Sequence, residues 1–303
     1  MPRAKQLFFR MLVTIGIVAS TAAPSASAMS QTEPSIIFTS NRGGSTEIYA
    51  SKRNGTDMRQ LTHNNIDEQT PAISPNGSSI AFITSDEAST DSTLSLLNTS
   101  TGAVTTLSHW TNTQYNSPVW SPDGKSIAFS FTSAADEFSS CIAIYKVAEG
   151  IINKISCSDT SLASPSWSPN GQKLLFTQYN SASGGDLYTV NTVGNEDKQL
   201  LRSGFSGVFS PTGDKIAYTA WDKNFTNQIF VANSDGSNPT QITDGSDLHT
   251  VADWTSDGYI TYTNVTSGVW HIQVKSIRSD GSGELTIPQD TPNTVDWPGR
   301  GIL

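Results

Sequence analysis

Carboxylates are the side chains with the most chemistry to offer in this sequence. Asp67-Glu68 and the nearby pair Asp244 and Asp247 lie in polar segments. Grouped hard oxygen donors of this kind suit Ca2+, which takes six to eight oxygen ligands. No Asp-x-[Asp/Asn]-x-[Asp/Asn]-Gly loop accompanies them. Ser234-Asp235-Gly236-Ser237 and Ser279-Asp280-Gly281-Ser282 look calcium-like, but Asp-Gly has a backbone reason in a tight turn. Asp253 and Asp296 each precede a tryptophan, Trp254 and Trp297. Two carboxylates facing one channel would raise the pKa of one of them and form a paired-acid site. The plainer role is to accept backbone N–H bonds. His63, His109 and His249 are spread over separate loops, a spacing that does not converge on one metal. Gly-x-Ser-x-Gly, His-Glu-x-x-His, a P-loop and Gly-x-Gly-x-x-Gly are missing from the sequence.

The elements that position these residues repeat. Ser117–Ser133 reads as a strand, a tight Ser-Pro-Asp-Gly turn and a second strand. Variants begin at Pro71, Pro165, Gly207 and Ala252. The Ser or Thr that opens each turn falls at 74, 121, 168, 210 and 255, in steps of 47, 47, 42 and 45 residues. Strand-only repeats at roughly 40–50 residues point to propeller blades. Each repeat divides into four strands, A to D from the channel outward. The apolar strand B is Ile80-Ala81-Phe82, Ile127-Ala128-Phe129, Leu174-Leu175-Phe176, Ile216-Ala217-Tyr218 and Ile260-Thr261-Tyr262. The N-terminal repeat begins at strand B (Ile36-Ile37-Phe38), and an unattached strand A, Thr294-Val295-Asp296-Trp297, comes last. The reading is therefore an all-β chain: a six-bladed β-propeller over residues 36–303, closed by the C-terminal strand joining the first blade. Closure of this kind removes open sheet edges.

The repeated Pro-x-Trp-Ser-Pro-[Asp/Asn]-Gly-x-x-[Ile/Leu]-[Ala/Leu]-Phe, with Ile48-Tyr49 and Gln60-Leu61-Thr62 downstream, resembles the WD-like repeat of TolB-type six-bladed propellers. Ser40-Asn41-Arg42-Gly43-Gly44 is similar to that family's loop after strand B. The resemblance covers about residues 36–303 and implies the fold. TolB itself carries a separate N-terminal α/β domain, expected to be absent here, and no hydrolase domain of the propeller peptidases is expected. The family's Tol-system role and peptidase activity do not carry over.

Residues 1–28 read as a secretory signal peptide: Arg3, Lys5 and Arg10, the apolar run Met11–Ala19, then Ala26-Ser27-Ala28 as the cleavage site. Residues 29–35 form a short leading segment. The apolar run is too short to span a bilayer, which takes about 20 residues. The expected location is the periplasm or the cell exterior. Cys141 and Cys157 flank a probable turn centred on residue 149 and fall opposite each other across a hairpin. In an oxidising compartment this spacing predicts a disulfide, with two packed thiols as the alternative. The mature chain carries 15 Lys+Arg against 27 Asp+Glu, a net charge of −12. That excludes nucleic acid as a partner, since such binding rests on phosphate neutralisation.

Propeller topology puts the B–C and D–A loops on one face, the top. Nearly all the excess negative charge sorts there, including Asp67, Glu68, Asp86, Glu87, Asp136, Glu137, Asp244 and Asp247. A single-signed face speeds encounter with opposite charge. Trp110, Tyr115, Tyr179, Trp221 and Phe225 join it as loop aromatics that can stack on sugars or anchor a peptide. Trp120, Trp167, Trp254 and Trp297 read as residues packed between blades. The function expected is non-catalytic binding, by a monomer, of a protein or peptide with a basic patch. Asp67, Glu68, Tyr115, Asp247 and His249 are the contacts. The other reading is a hydrolase or lyase acting on a glycan or lactone, with Ca2+ at the channel mouth held by Asp67, Glu68, Asp244 and Asp247.

Overall fold

The computed structural model describes residues 35–85, 91–110, 112–133, 139–180, 184–193, 198–266, 271–287 and 295–302. Residues 1–28, expected to be a signal peptide, and Asp86, Glu87, Asp136, Glu137 and Asp290 lie outside them. Among the described residues the chain is all-β and propeller-like, and no helix is long and apolar enough to cross a membrane.

The strands run as successive antiparallel meanders. β1 (Ser35–Ser40), β2 (Glu47–Lys52) and β3 (Arg59–Gln60) come first, followed by β4 (Asp67–Ile73), β5 (Ser79–Ser85), β6 (Ser92–Asn98) and β7 (Val104–Ser108). β8 (Thr113–Trp120), β9 (Ser126–Ser133), β10 (Ser140–Lys146) and β11 (Ile151–Ser158) form one four-stranded sheet. β12 (Leu162–Trp167), β13 (Lys173–Gln178), β14 (Asp186–Asn191) and β15 (Gln199–Ser203) form the next. Two further sheets hold β16 (Phe205–Phe209), β17 (Lys215–Trp221), β18 (Asn227–Asn233) and β19 (Thr240–Gln241), then β20 (Leu248–Trp254), β21 (Tyr259–Thr266), β22 (His271–Arg278) and β23 (Leu285–Thr286). The last strand, β24 (Asp296–Ile302), pairs antiparallel with β1 and touches β4 through one parallel pair, Arg300 with Ala72. The order β3-β2-β1-β24-β4-β5-β6-β7 results, a single eight-stranded sheet.

The period-2 alternation of each central strand serves two neighbours. Ile127, Phe129 and Phe131 of β9 pack with Ala72, Ala81, Ile83 and Leu94 of the preceding sheet. Ala128, between them, joins Leu162, Trp167, Leu174 and Phe176 of the following one. A strand covered on both faces reads as a continuous apolar run, which is why Ile-Ala-Phe recurs. The outermost strands show the opposite pattern: Val104, Thr105 and Thr106 of β7 are exposed. Trp120 Nε1 donates to the Ala72 carbonyl at 3.0 Å, and Trp167 Nε1 to that of Val119 at 3.2 Å. Each indole thus ties one sheet to the inner strand of the preceding one, as expected for these two. Trp297 departs from that reading, being 43% exposed.

Each inner strand carries a β-bulge. The register breaks at Gln69/Ala72, Asn116/Val119, Ala163/Ser166 and Phe205/Val208. Thr70, Ser117, Ser164 and Ser206 adopt φ between 47° and 54° at these points. Three of them precede Pro71, Pro118 and Pro165, and bulges and edges are where a sheet tolerates proline. Cys141 and Cys157 are register partners in β10 and β11 and form a disulfide.

Candidate functional site

The register exposes a position shared by β4, β8, β12, β20 and β24. Glu68 pairs with Thr84, Tyr115 with Phe131, Leu162 with Gln178, His249 with Asn264 and Asp296 with Ser40. Each lies at or near the start of its inner strand, and each is buried: 0%, 3%, 2%, 6% and 0% exposed, respectively. Glu68, Tyr115 and His249, expected as surface contacts, therefore face inward.

Two of these positions form equivalent clasps. Glu68 Oε2 accepts from the Thr62 hydroxyl and from Ile48 N (3.2 Å), and Oε1 from Asn64 Nδ2 (2.7 Å). Thr62 Oγ1 in turn accepts from Ile48 N at 2.8 Å. In the other, His249 Nδ1 lies 2.9 Å from Gln228 Oε1, which also accepts from the Thr243 hydroxyl at 2.7 Å; His249 Nε2 lies 2.8 Å from Asn264 Oδ1. Ile229 N donates to Thr243 Oγ1 at 2.9 Å, matching Ile48 and Thr62. Gln60-Leu61-Thr62 and Gln241-Ile242-Thr243 are the sequence signal that could have located these clasps. The partners Glu47, Asn64, Gln228 and Asn264 carry no signal of their own.

Glu47 is 1% exposed and lies beside Glu68. Its Oε1 accepts from Ser45 Oγ (2.9 Å) and Asn64 N (3.0 Å), so Asn64 bridges the two carboxylates. Burial pushes the Glu68 carboxyl up to about 7; Glu47 adds to the shift, while the bonds from Thr62, Asn64 and Ile48 oppose it. Burial pulls the His249 imidazole below its ordinary value, against the opposing bond to Asn264 and the Asp247 charge.

The expected channel pair Asp253 and Asp296 is corrected by the register of β24. Phe38 pairs with Pro298 and Ile36 with Ile302, so Asp296 opposes Ser40 rather than occupying the position of Asp253. There it meets Arg42: Nη2 donates to both carboxylate oxygens at 2.9 and 3.0 Å, across 254 residues of sequence. The two side chains are 8% and 0% exposed. The charge near Asp253 is instead Arg300, which donates to the Pro165 carbonyl. Asp253 and Arg300 line a central cavity of about 330 Å³ with Trp120, Trp167, Phe209 and Trp254. Burial draws the Arg300 pKa down and Asp253 works against it.

The remaining candidates are distributed. Asp67 Oδ1 accepts from Thr46 N at 2.7 Å. Asp244 is exposed and Asp247 half-buried, both in the loop between β19 and β20. The four carboxylates considered for Ca2+ thus divide between the start of β4 and the loop that follows β19. Among the described residues no group of three or more His, Cys, Asp or Glu is placed to hold a metal. His63 and His109 are exposed. Asn264, part of a sequon, is 2% exposed and occupied by His249.

Repeated four-stranded meanders about a central cavity, with interlocking side chains at their seams, define a β-propeller scaffold. The TolB beta propeller domain family model matches residues 13–144 and 109–294, and the chain belongs to that family. Similar solved structures include TolB from Acinetobacter baumannii, with 15% identity, 86% of this chain and 65% of that one covered, and a TM-score of 0.73. The putative TolB from Agrobacterium tumefaciens gives 18%, 89%, 92% and 0.68. A chain of a nidogen/laminin complex gives 12%, 89%, 97% and 0.66. The chain thus spans just under two thirds of the Acinetobacter protein's length. At these identities the likeness concerns the fold. No curated protein matches the sequence.

Proposed function

We propose that this chain is an exported, six-bladed propeller that binds a protein or peptide bearing a basic patch through its acidic top face. Six blades follow from counting the eight-stranded sheet as two. One parallel pair joins β24 to β4, whereas every other strand pairing is antiparallel. On this count β24 supplies the inner strand of the first blade and closes the ring. Export rests on the leader pattern of residues 1–28, and the disulfide suits an oxidising compartment.

One observation carries the binding reading. The buried acids Glu68 and Asp296 are absorbed by partners within the fold. Asp67 at the start of β4, and Asp159, Asp222, Asp244 and Asp247 in loops, keep part or all of their surface at one end of their sheets. Carboxylates left in water at one end steer a cationic partner and make its association salt-dependent.

The test is a pull-down from envelope extract with residues 29–303 as bait, beside the D159K/D244K variant. Both substitutions fall at exposed positions and leave the clasps intact. A protein retained by the first bait, lost by the second and released by high salt is the expected result. Identical profiles from the two baits would overturn the acidic-face reading.

A further inference from the structure

Phe225 is 81% exposed and has a backbone φ of 60°. Left-handed backbone suits Gly or Asn and is strained for a bulky residue. The loop that holds it is well tied. Asp222 Oδ1 accepts from Asn224 N at 2.8 Å and Thr226 N at 2.9 Å. Phe225 N donates to the Asp222 carbonyl at 3.1 Å, and Asp222 N to that of Thr226 at 2.9 Å. The hairpin therefore fixes, in a strained conformation, an aromatic ring that folding leaves in water. Strain held at an exposed position points to an external contact.

Trp221 stands beside it, 43% exposed, with ring centroids 6.4 Å apart at 63°. Its other side rests on Gly184, where an added Cβ would come within 3.1 Å of the indole. Two acidic residues belong to the same loop cluster. Asp222 lies between the two rings in sequence. The loop carrying exposed Asp244 is joined to the same hairpin, because Gln228 Nε2 donates to the Gly245 and Asp247 carbonyls, each at 3.2 Å. Lys223, exposed on the turn, opposes that charge.

We propose that Trp221 and Phe225 are the aromatic anchor for an arginine or lysine side chain of a peptide partner. The cation stacks on the ring faces, and Asp222 and Asp244 supply the complementary charge. A cation over an aromatic face is attracted by the ring quadrupole, and most strongly by tryptophan. This rests on the acidic-face reading and locates its binding hot spot.

The experiment is a titration of residues 29–303 with an octa-arginine peptide, and with octa-glutamate as control, at low and high salt. Wild type should bind only the cationic peptide, with the Trp221 indole N–H resonance shifting. Phe225→Asn should bind at least tenfold more weakly while melting no lower than wild type, since Asn tolerates the positive φ. Lys223→Glu should bind more tightly. If Phe225→Asn and Trp221→Ala bind like wild type while Asp244→Lys binds more weakly, the anchor is overturned and the acidic face stands. If wild type ignores octa-arginine at low salt, both readings fall.

Discussion

Glu68 shows how a single residue can be legible in type and illegible in role. Its neighbour Asp67 and its polar segment suggest an exposed ligand, yet its carboxylate is buried beneath Asn64 and coupled to Glu47. The local residue string does not encode that burial; the register of β4 against β5 does. A consequence is testable through pH. The folded-state pKa of about 7 stands above the ordinary 4.5, so between those values the native state holds more proton than the unfolded chain. The stability contributed is complete below about 4.5 and lost as pH rises through 7. Glu68→Gln should therefore flatten this limb, raising stability by ~1–3 kcal/mol at pH 8 and little at pH 4.5. Thermal melts at the two pH values measure it, and equal shifts at both would refute the assignment. Gly299 gives a steric counterpart. A Cβ there would lie 2.6 Å from the Pro71 carbonyl oxygen, so Gly299→Ala should cost about 1–3 kcal/mol in urea unfolding.

At the scale of elements, the strand pattern was the most readable part of the chain. The recurring Ser/Thr turn and the Ile-Ala-Phe strand locate the central strands, because both follow from local chemistry. β24 pairs with β1 as expected, and its register departs from the expectation for an equally physical reason. Val295-Asp296-Trp297 mimics Ala252-Asp253-Trp254, but the strand runs on to Ile302 and the Asp is drawn to Arg42. A partner 254 residues away is invisible to any local pattern. Removing one member of such a buried pair strands the other charge, at a cost of about 3–5 kcal/mol. Arg42→Ala should thus lose that much stability, with amide exchange rising first in β1 and β24. Uniform exchange across all sheets would place the pair outside the weak point. Replacing both Cys141 and Cys157 with serine should cost ~2–4 kcal/mol and leave β8 and β9 paired.

For the whole molecule, the fold could be read from repeats because each sheet solves the same packing problem with the same residues. The candidate site could not, because it rests on what differs between repeats. The inner-strand position filled by Glu68, Tyr115, Leu162, His249 and Asp296 recurs in five inner strands and is occupied by five different chemistries. Charge on the top face was readable only as a sum, and the loop aromatics divided once placed, with Tyr115 buried and Phe225 exposed. A deletion tests the proposed ring as a unit. Ending the chain at residue 295 removes β24 and leaves the ladder edges of β1 and β4 open. Open edges template association, so the truncated chain should elute as dimers or larger species. A stable monomer of unchanged melting temperature would show that closure contributes nothing.

The pairing of β24 with β1 also sets an order of events in time. Most strands can find their antiparallel neighbours as soon as both have been made, since those neighbours follow within a few tens of residues. β1 (Ser35–Ser40) is made long before its partner β24 (Asp296–Ile302) and waits for it. Contacts of such sequence separation form late, after the chain entropy of the intervening segment has been lost. During synthesis the ladder edge of β1 thus stays unsatisfied, vulnerable to neighbouring chains until β24 arrives.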